Sequence, residues 1–544
     1  MSGKKRNDGF LIQASILAAA GILVRIIGML YRSPMTMIIG DEGNGYYSTA
    51  YNIYVVVLLI SSYSIPTAIS KIVSSKLALK QYKNAHRTFL CALYYVIGIG
   101  GIASIFTFIF APVLVADNSN AVFALRIFAP TIFFSGILGV LRGYFQAHHN
   151  MVPTSLSQIV EQIVNAVVSI AAAWFFTKPY RNPEKAELLP MYGAGGGAVG
   201  TGMGVCAGLL FLIFAYGLNR SFINRRVVAD KDKNIEPYPV IFKSLLFMVT
   251  PVIFSTFIYN ISTSLDMTIF YKIMSLKGMA NKDASTFYGV FSGKYMVLIN
   301  VPVAMASAVA TAMIPNVSTS YTAGDMQKTN KKISEAIRFT MLIAIPAAIG
   351  MGVLARPIMQ LLFPQPETIE LASCLLCTGC ISVVFYSLST VTNGVLQGVG
   401  RVHIPVKNAL IALVIHAGVL ISLLFATDWG VYALLAATIL YSFLMCLLNG
   451  FSVKKYLKYR QDIKKTFVIP LLSALIMAVV TRLSYEGVHL LLKSNVIGII
   501  ISVMLAVLTY FIMLIKLKGV EEKEFNNFPK GTVLLSLARR LRLL

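Results

Sequence analysis

The chain has 544 residues, 57% of them hydrophobic and 13% charged, with a strongly positive mean hydropathy. Those proportions exclude a soluble globular fold and describe a polytopic membrane protein. A net charge of +25 points to nucleic acid in a soluble protein; here it belongs to basic loops and to a face lying on anionic lipid, so no nucleic-acid partner is expected.

In chain order, segments of about 20 mostly apolar residues fall near 10–38, 46–70, 88–113, 121–146, 153–177, 193–217, 241–271, 284–313, 336–357, 369–398, 404–426, 430–452, 466–486 and 494–516. They predict an all-α membrane protein of about fourteen transmembrane helices. The opening KKRNDGFLIQASILAAAG has the basic start and small residues of a signal peptide. Its apolar pattern continues well past Ala20, so it is read as a first span that stays attached.

The loops set an orientation. Basic residues cluster after span two (Lys71, Lys76, Lys80, Lys83, Arg87), span six (Arg220, Arg225, Arg226, Lys231, Lys233), span eight (Lys328, Lys331, Lys332) and span twelve (Lys454 to Lys465). The alternate connections are short or acidic, as at Gly40-Asp41-Glu42-Gly43 and Thr427-Asp428-Trp429. About 34 basic residues fall on the cytoplasmic side and about 10 outside, so both termini are expected in the cytoplasm.

Gly143–Pro153 (GYFQAHHNMVP) and Gly394–Pro405 (GVLQGVGRVHIP) share G-x-x-Q, a turn and a helix-starting Pro. Phe287–Leu298 echoes Tyr46–Val57 at a similar offset. The repeat predicts two parallel six-helix lobes, 1–230 and 231–460, related by a pseudo-two-fold axis along the membrane normal. Residues 461–544 then supply spans thirteen and fourteen and a basic cytoplasmic tail.

No enzyme motif stands. GGGAVG (Gly195–Gly200) matches G-x-G-x-x-G, but it lies in span six with no strand before it. Gly196, Gly200, Gly204 and Gly208 recur every four residues, a small-residue face for close helix packing. Cys374, Cys377 and Cys380 share one helical stripe without a His or carboxylate beside them, and read as packing. His148, His149 and His403 sit in turns with a solvated role expected. No catalytic residue, metal or cofactor is expected, and one copy of the chain is expected to suffice.

What remains is a set of charges inside the spans, each costing about 2.5–3.5 kcal/mol at the centre of a helix. Arg25 lies about fifteen residues into span one and Lys294 about ten residues into span eight from the other side, both near mid-depth at 1.5 Å per residue. Arg32 falls on nearly the same helix face as Arg25, just before Pro34, which should end or kink the helix. It either joins Arg25 or snorkels to the headgroups. Asp266 in span seven balances these cations or couples to an ion. Glu161 in span five does the same or pairs with Arg142. Two mid-depth cations from different lobes predict an anion-attracting cavity. With Asn44, Tyr47, Tyr51 and Asn52 as glycan-facing candidates, it suits a pyrophosphate-linked sugar.

Arg25–Tyr54, RIIGMLYRSPMTMIIGDEGNGYYSTAYNIY, followed by SSYSIPTAISKIVS, and Gly289–Ser318 resemble the multidrug/oligosaccharidyl-lipid/polysaccharide exporter superfamily. The match is to its polysaccharide transporter branch, which includes the MurJ-like lipid II flippases and the stage V sporulation protein B relatives of Gram-positive bacteria. The resemblance covers nearly the whole chain. It implies alternating access and an undecaprenyl-pyrophosphate-linked saccharide; lipid II, moved across a bacterial cell membrane, is the substrate expected first, with Na+, H+ or the membrane potential as the expected drive. It places Arg25 and Arg32 at the family's pyrophosphate-binding positions. It sets Gly293-Lys294 against an Asp-Arg pair of Gram-negative members, keeping the cation and losing the acid, and it matches Asp266 to a recurrent span-seven acid. Capsular or teichoic repeat units are the alternative substrate. A multidrug/cation antiporter of the same superfamily is a further alternative, which the excess of Arg and Lys disfavours.

Overall fold

The computed structural model describes residues 2–520, apart from 64, 116–117, 149 and 231–234. His149, Lys231, Lys233 and most of the expected basic tail lie outside the described residues. The described chain is helical and forms two compact units, Met1–Gly293 with Ala417–Val431, and Lys294–His416 with Tyr432–Leu544.

The first unit contains α1 (Ser2–Leu58), α2 (Ile65–Ala78), α3 (Tyr82–Leu114), α4 (Val122–Ala147), α5 (Val152–Thr177), α6 (Leu189–Ala229), α7 (Tyr238–Leu276) and α8 (Asn281–Val290). Pro occupies the first turn of α5, α6 and α7, where its missing N–H costs no helical bond. The second unit contains α9 (Met296–Thr322), α10 (Met326–Val353), α11 (Ala355–Leu362), α12 (Ile369–Gly379), α13 (Ile381–Gly398), most of α14 (His403–Ala426) and α15 (Val431–Leu457), α16 (Ile469–Leu492) and α17 (Asn495–Lys516). A π-helical turn, Phe291–Tyr295, precedes α9.

Among the described residues, eleven helices are long and apolar enough to cross a membrane, or twelve if the bent pair α12–α13 is one span. The count differs from fourteen for identifiable reasons. The first candidate, Ala19–Ala78, runs 60 residues, about three hydrocarbon thicknesses at 1.5 Å per residue, and is broken at Gly40. In α7, only Tyr238–Thr250 registers, as a shorter apolar helix.

Two expectations for α1 change. Pro34 neither ends the helix nor marks the break. The break is the single residue Gly40, at φ 72° and ψ 177°, a conformation open to glycine and closed to a residue with a Cβ. Helix resumes at once, so Gly40-Asp41-Glu42-Gly43 is not a loop. Its neighbouring glycines serve contact instead. A Cβ on Gly45 would lie 2.0 Å from the Ser285 carbonyl oxygen, and one on Gly289 would lie 2.0 Å from that of Asp41. The second half of α1 and α8 therefore meet backbone to backbone.

The glycine stripe of α6 works the same way. Cβ atoms on Gly196, Gly200 and Gly204 would lie 2.5, 2.1 and 2.5 Å from Ala173, Ser169 and Glu161 respectively. These residues let α6 lie directly on α5, which fixes the position of Glu161.

Candidate functional site

The bend at Gly40 folds α1 back so that residues twelve apart meet. Arg32 Nη1 donates to Asn44 Oδ1 at 3.5 Å. Asn44 Nδ2 donates to Thr36 Oγ1 at 3.3 Å, and Thr36 Oγ1 donates to the Arg32 carbonyl at 2.8 Å. The guanidinium carbon stands 4.7 Å from the centre of the Tyr47 ring, a cation–π distance. Tyr47 is fixed in turn by Tyr51, stacked at 5.9 Å, by Phe128 edge-on at 5.6 Å, and by Thr201 at its hydroxyl, 3.3 Å away. Tyr47, Tyr51 and Tyr54 share one face because they are spaced four and three apart, and all three rings pack on Phe128.

Arg32 is half-buried, and no carboxylate pairs with it among the described residues. Its face is occupied by an aromatic ring, one N–H by an amide, and the neighbouring Tyr31 side chain also hydrogen-bonds it; with five N–H donors, the guanidinium keeps part of its fork for an anion. Asn44 and Tyr47 are buried, with 0% and 1% of their surface exposed. They hold Arg32, whereas Tyr51 and Asn52 are half-buried.

Arg25 is exposed on the same helix, and Tyr51 lies within electrostatic reach of Arg25, Arg32 and Glu161. Glu161 is itself engaged: Arg142 Nη2 donates to its Oε2 at 2.6 Å while Arg142 Nε donates to Ser157 at 3.0 Å. This is the pairing the sequence left open. Asp266 is buried on α7, within electrostatic reach of Tyr288. Asn52 bonds the same neighbourhood, donating to the Tyr288 hydroxyl at 2.7 Å, and Ser264 donates to the Asn52 carbonyl at 3.5 Å.

In the second unit Lys294 is wholly buried, at 0% exposed, in the π-helical turn before α9. Its Nζ donates to Thr368 Oγ1 at 2.9 Å and stands 5.9 Å from the centre of the Phe363 ring. Thr368 and Phe363 flank the connection from α11 to α12. This is a second enclosed cation, with a hydroxyl among its partners.

Gly293 belongs to the first unit, and its missing side chain has a clear cause. A Cβ there would fall 1.9 Å from Asn44 Nδ2 and 2.4 Å from Asn44 Cγ. The Asn44 amide fills the space that a side chain at 293 needs, so an acid at this position is incompatible with the Asn44 contact to Arg32.

Sequence reading found Arg32, Asn44, Tyr47 and Lys294 by their charge or polarity in apolar segments. It missed Thr36, Phe128, Thr201 and Thr368, whose types are unremarkable in a membrane helix. The one available signal was Thr368 just before an acidic helix start, PETIE, an N-cap pattern rather than a site pattern.

Comparison with known proteins agrees with this architecture. Residues 10–321 match the family described as polysaccharide biosynthesis protein, and residues 251–421 match the MatE family. The lipid II flippase MurJ of Bacillus subtilis (strain 168) is 24% identical over 85% of this chain and 86% of its own length. Stage V sporulation protein B of the same organism is 24% identical over 84% and 86%. Among solved structures, lipid II flippase MurJ in an inward closed conformation superposes with a TM-score of 0.66 at 17% identity, covering 91% of this chain and 97% of that one. An inward-facing multidrug resistance MATE transporter of the MOP superfamily gives 0.62 at 14% identity, covering 84% and 99%. With a family match over more than half its length, long apolar helices and a helical fold like those of MurJ and the MATE transporters, this chain is a multi-pass membrane protein that belongs to the polysaccharide biosynthesis protein family.

Proposed function

We propose that this chain is a flippase for an undecaprenyl-pyrophosphate-linked saccharide, with lipid II as the substrate, carried from the cytoplasmic to the outer leaflet by alternating access. The observation that carries this reading is Arg32, seated on Tyr47 and tied to Asn44 within the apolar first helix. A guanidinium so placed keeps part of its planar fork for a diphosphate, within an apolar helix where a cation is costly to insert. Arg25 and Lys294 are the further pyrophosphate ligands. Asp266 balances the cations between cycles or couples to Na+ or H+, with Glu161 acting through Arg142. Tyr51 and Asn52 face the glycan, and Asn44 and Tyr47 position Arg32. The lobes 1–230 and 231–460 alternate access, both termini stay in the cytoplasm, and the chain acts as a monomer on anionic lipid. Movement of charge through the membrane potential supplies about 2.3 kcal/mol per charge per 100 mV.

Expression in a cell depleted of its lipid II flippase is the test. Restored growth with the wild-type chain, lost on Arg32→Ala at equal membrane level, is the expected result. Failure of the wild-type chain despite normal insertion would transfer the proposal to capsular or teichoic repeat units.

A further inference from the structure

The first unit carries a second basic feature that the substrate reading does not use. Where α2 ends and α3 begins, beside the end of α4 and the last turns of α6, there is a shallow recess. Tyr82, His86, Tyr144, His148, Phe222 and Arg226 line it. The Arg226 guanidinium carbon lies 4.2 Å from the Phe222 ring centre and 5.7 Å from that of Tyr82. Aromatic rings thus restrain the cation, and no carboxylate pairs with it among the described residues. His86 is half-buried, and its Nδ1 has no hydrogen-bond partner among the described residues. His148 Nδ1 donates to the Tyr144 carbonyl at 3.0 Å and its ring packs 4.5 Å from that of Tyr144, so this imidazole is held in place.

We infer that this recess binds the phosphate of an anionic membrane lipid. A restrained guanidinium, and an imidazole whose unpartnered Nδ1 donates in the tautomer that is protonated there, suit phosphate oxygens. The surroundings select the source. Lys80 and Arg220 are exposed nearby in sequence and supply an attractive field for an anionic surface. Leu79, Phe222 and Val228 are also exposed, at 71%, 54% and 82%. Basic and large apolar side chains exposed together suit the boundary between headgroups and acyl chains, and a soluble phosphate has no use for the apolar ones. This inference is independent of what the transporter carries.

The test uses the full chain purified in a neutral detergent, with its thermal midpoint followed against dioleoylphosphatidylglycerol, dioleoylphosphatidylcholine and sodium pyrophosphate. Phosphatidylglycerol should raise the midpoint and phosphatidylcholine should not. Arg226→Gln and His86→Gln should each raise the half-saturating phosphatidylglycerol concentration about tenfold, the loss of one charge-assisted hydrogen bond. Arg225→Gln, an exposed charge next door, should leave it unchanged. An unchanged response in both recess variants, or an equal loss in Arg225→Gln, overturns the site. If pyrophosphate alone reproduces the stabilisation and loses it in Arg226→Gln, the membrane-lipid source is overturned.

Discussion

Arg32 in the first unit and Lys294 in the second are both cations embedded in apolar helix, and they are held differently. Arg32 is half-buried, with a ring on one face and an amide at one N–H. Lys294 is wholly enclosed and donates to Thr368. A guanidinium can be anchored through its face and still present its edge, because its donors are fixed in a plane. An ammonium is a point charge, and each donor given to the protein is withdrawn from a ligand. Arg32 therefore reads as a ligand-ready group, and Lys294 as one whose enclosed ammonium must be uncovered before it meets an anion.

The largest expected effect breaks the comparison on the first side. Arg32→Ala should abolish transport in the depletion strain, and Arg32→Lys should fail to restore it. Lysine keeps the charge but loses both the planar seat on Tyr47 and the second donor of the fork. Full growth with Arg32→Lys would show that charge alone suffices and remove the argument from the geometry of the fork.

Next comes Lys294→Met, which keeps the length of the side chain and removes its charge. Transport should be lost while the thermal midpoint in detergent holds or rises, because an enclosed ammonium is a cost to the fold that a well-packed thioether avoids. A large fall in the midpoint would assign Lys294 to architecture instead.

Gly293→Ala sharpens the boundary of the Arg32 site. The new methyl would need the place of the Asn44 amide, 1.9 Å from its Nδ2, and overpacking of that kind costs about 1–3 kcal/mol. Combining it with Asn44→Ala should recover part of the loss, since the amide is what the methyl meets. Strictly additive costs, measured as thermal midpoints of the two single variants and the double, would show that the contact is not shared.

These residues show what the sequence made legible. A charge in an apolar run announces itself by its insertion cost, so Arg25, Arg32, Lys294, Asp266 and Glu161 could be found without a structure. The helical class and the close α5–α6 face followed from hydropathy and from glycine recurring every four residues. GDEGNG was misread for a physical reason: glycine and acid clusters mark turns in most chains. Here one glycine supplies a positive φ, while Gly45 on α1 and Gly289 on α8 remove bulk from a crossing of backbones. Composition does not separate the two uses. Nor does it reveal which neutral hydroxyls serve the cations, because Thr36, Thr201 and Thr368 gain their roles only from partners distant in the chain or across a bend.

Thr368→Val carries the smallest expected effect and is the most direct test of how the second cation is held. The substitution keeps shape and removes the acceptor 2.9 Å from Lys294 Nζ. Leaving one buried donor short should lower stability by about 1–3 kcal/mol, read as a fall in the thermal midpoint. The same change made on Lys294→Met should cost less, because no ammonium is then left short of its acceptor. The difference between the two backgrounds isolates the Lys294–Thr368 interaction. If Thr368→Val lowers the midpoint equally in both, Thr368 stabilises its own connection and Lys294 needs no release before it can meet an anion. If the cost appears only with Lys294 present, the hydroxyl is a competitor for the ammonium, and Thr368→Val should also raise the apparent affinity for a pyrophosphate-bearing substrate.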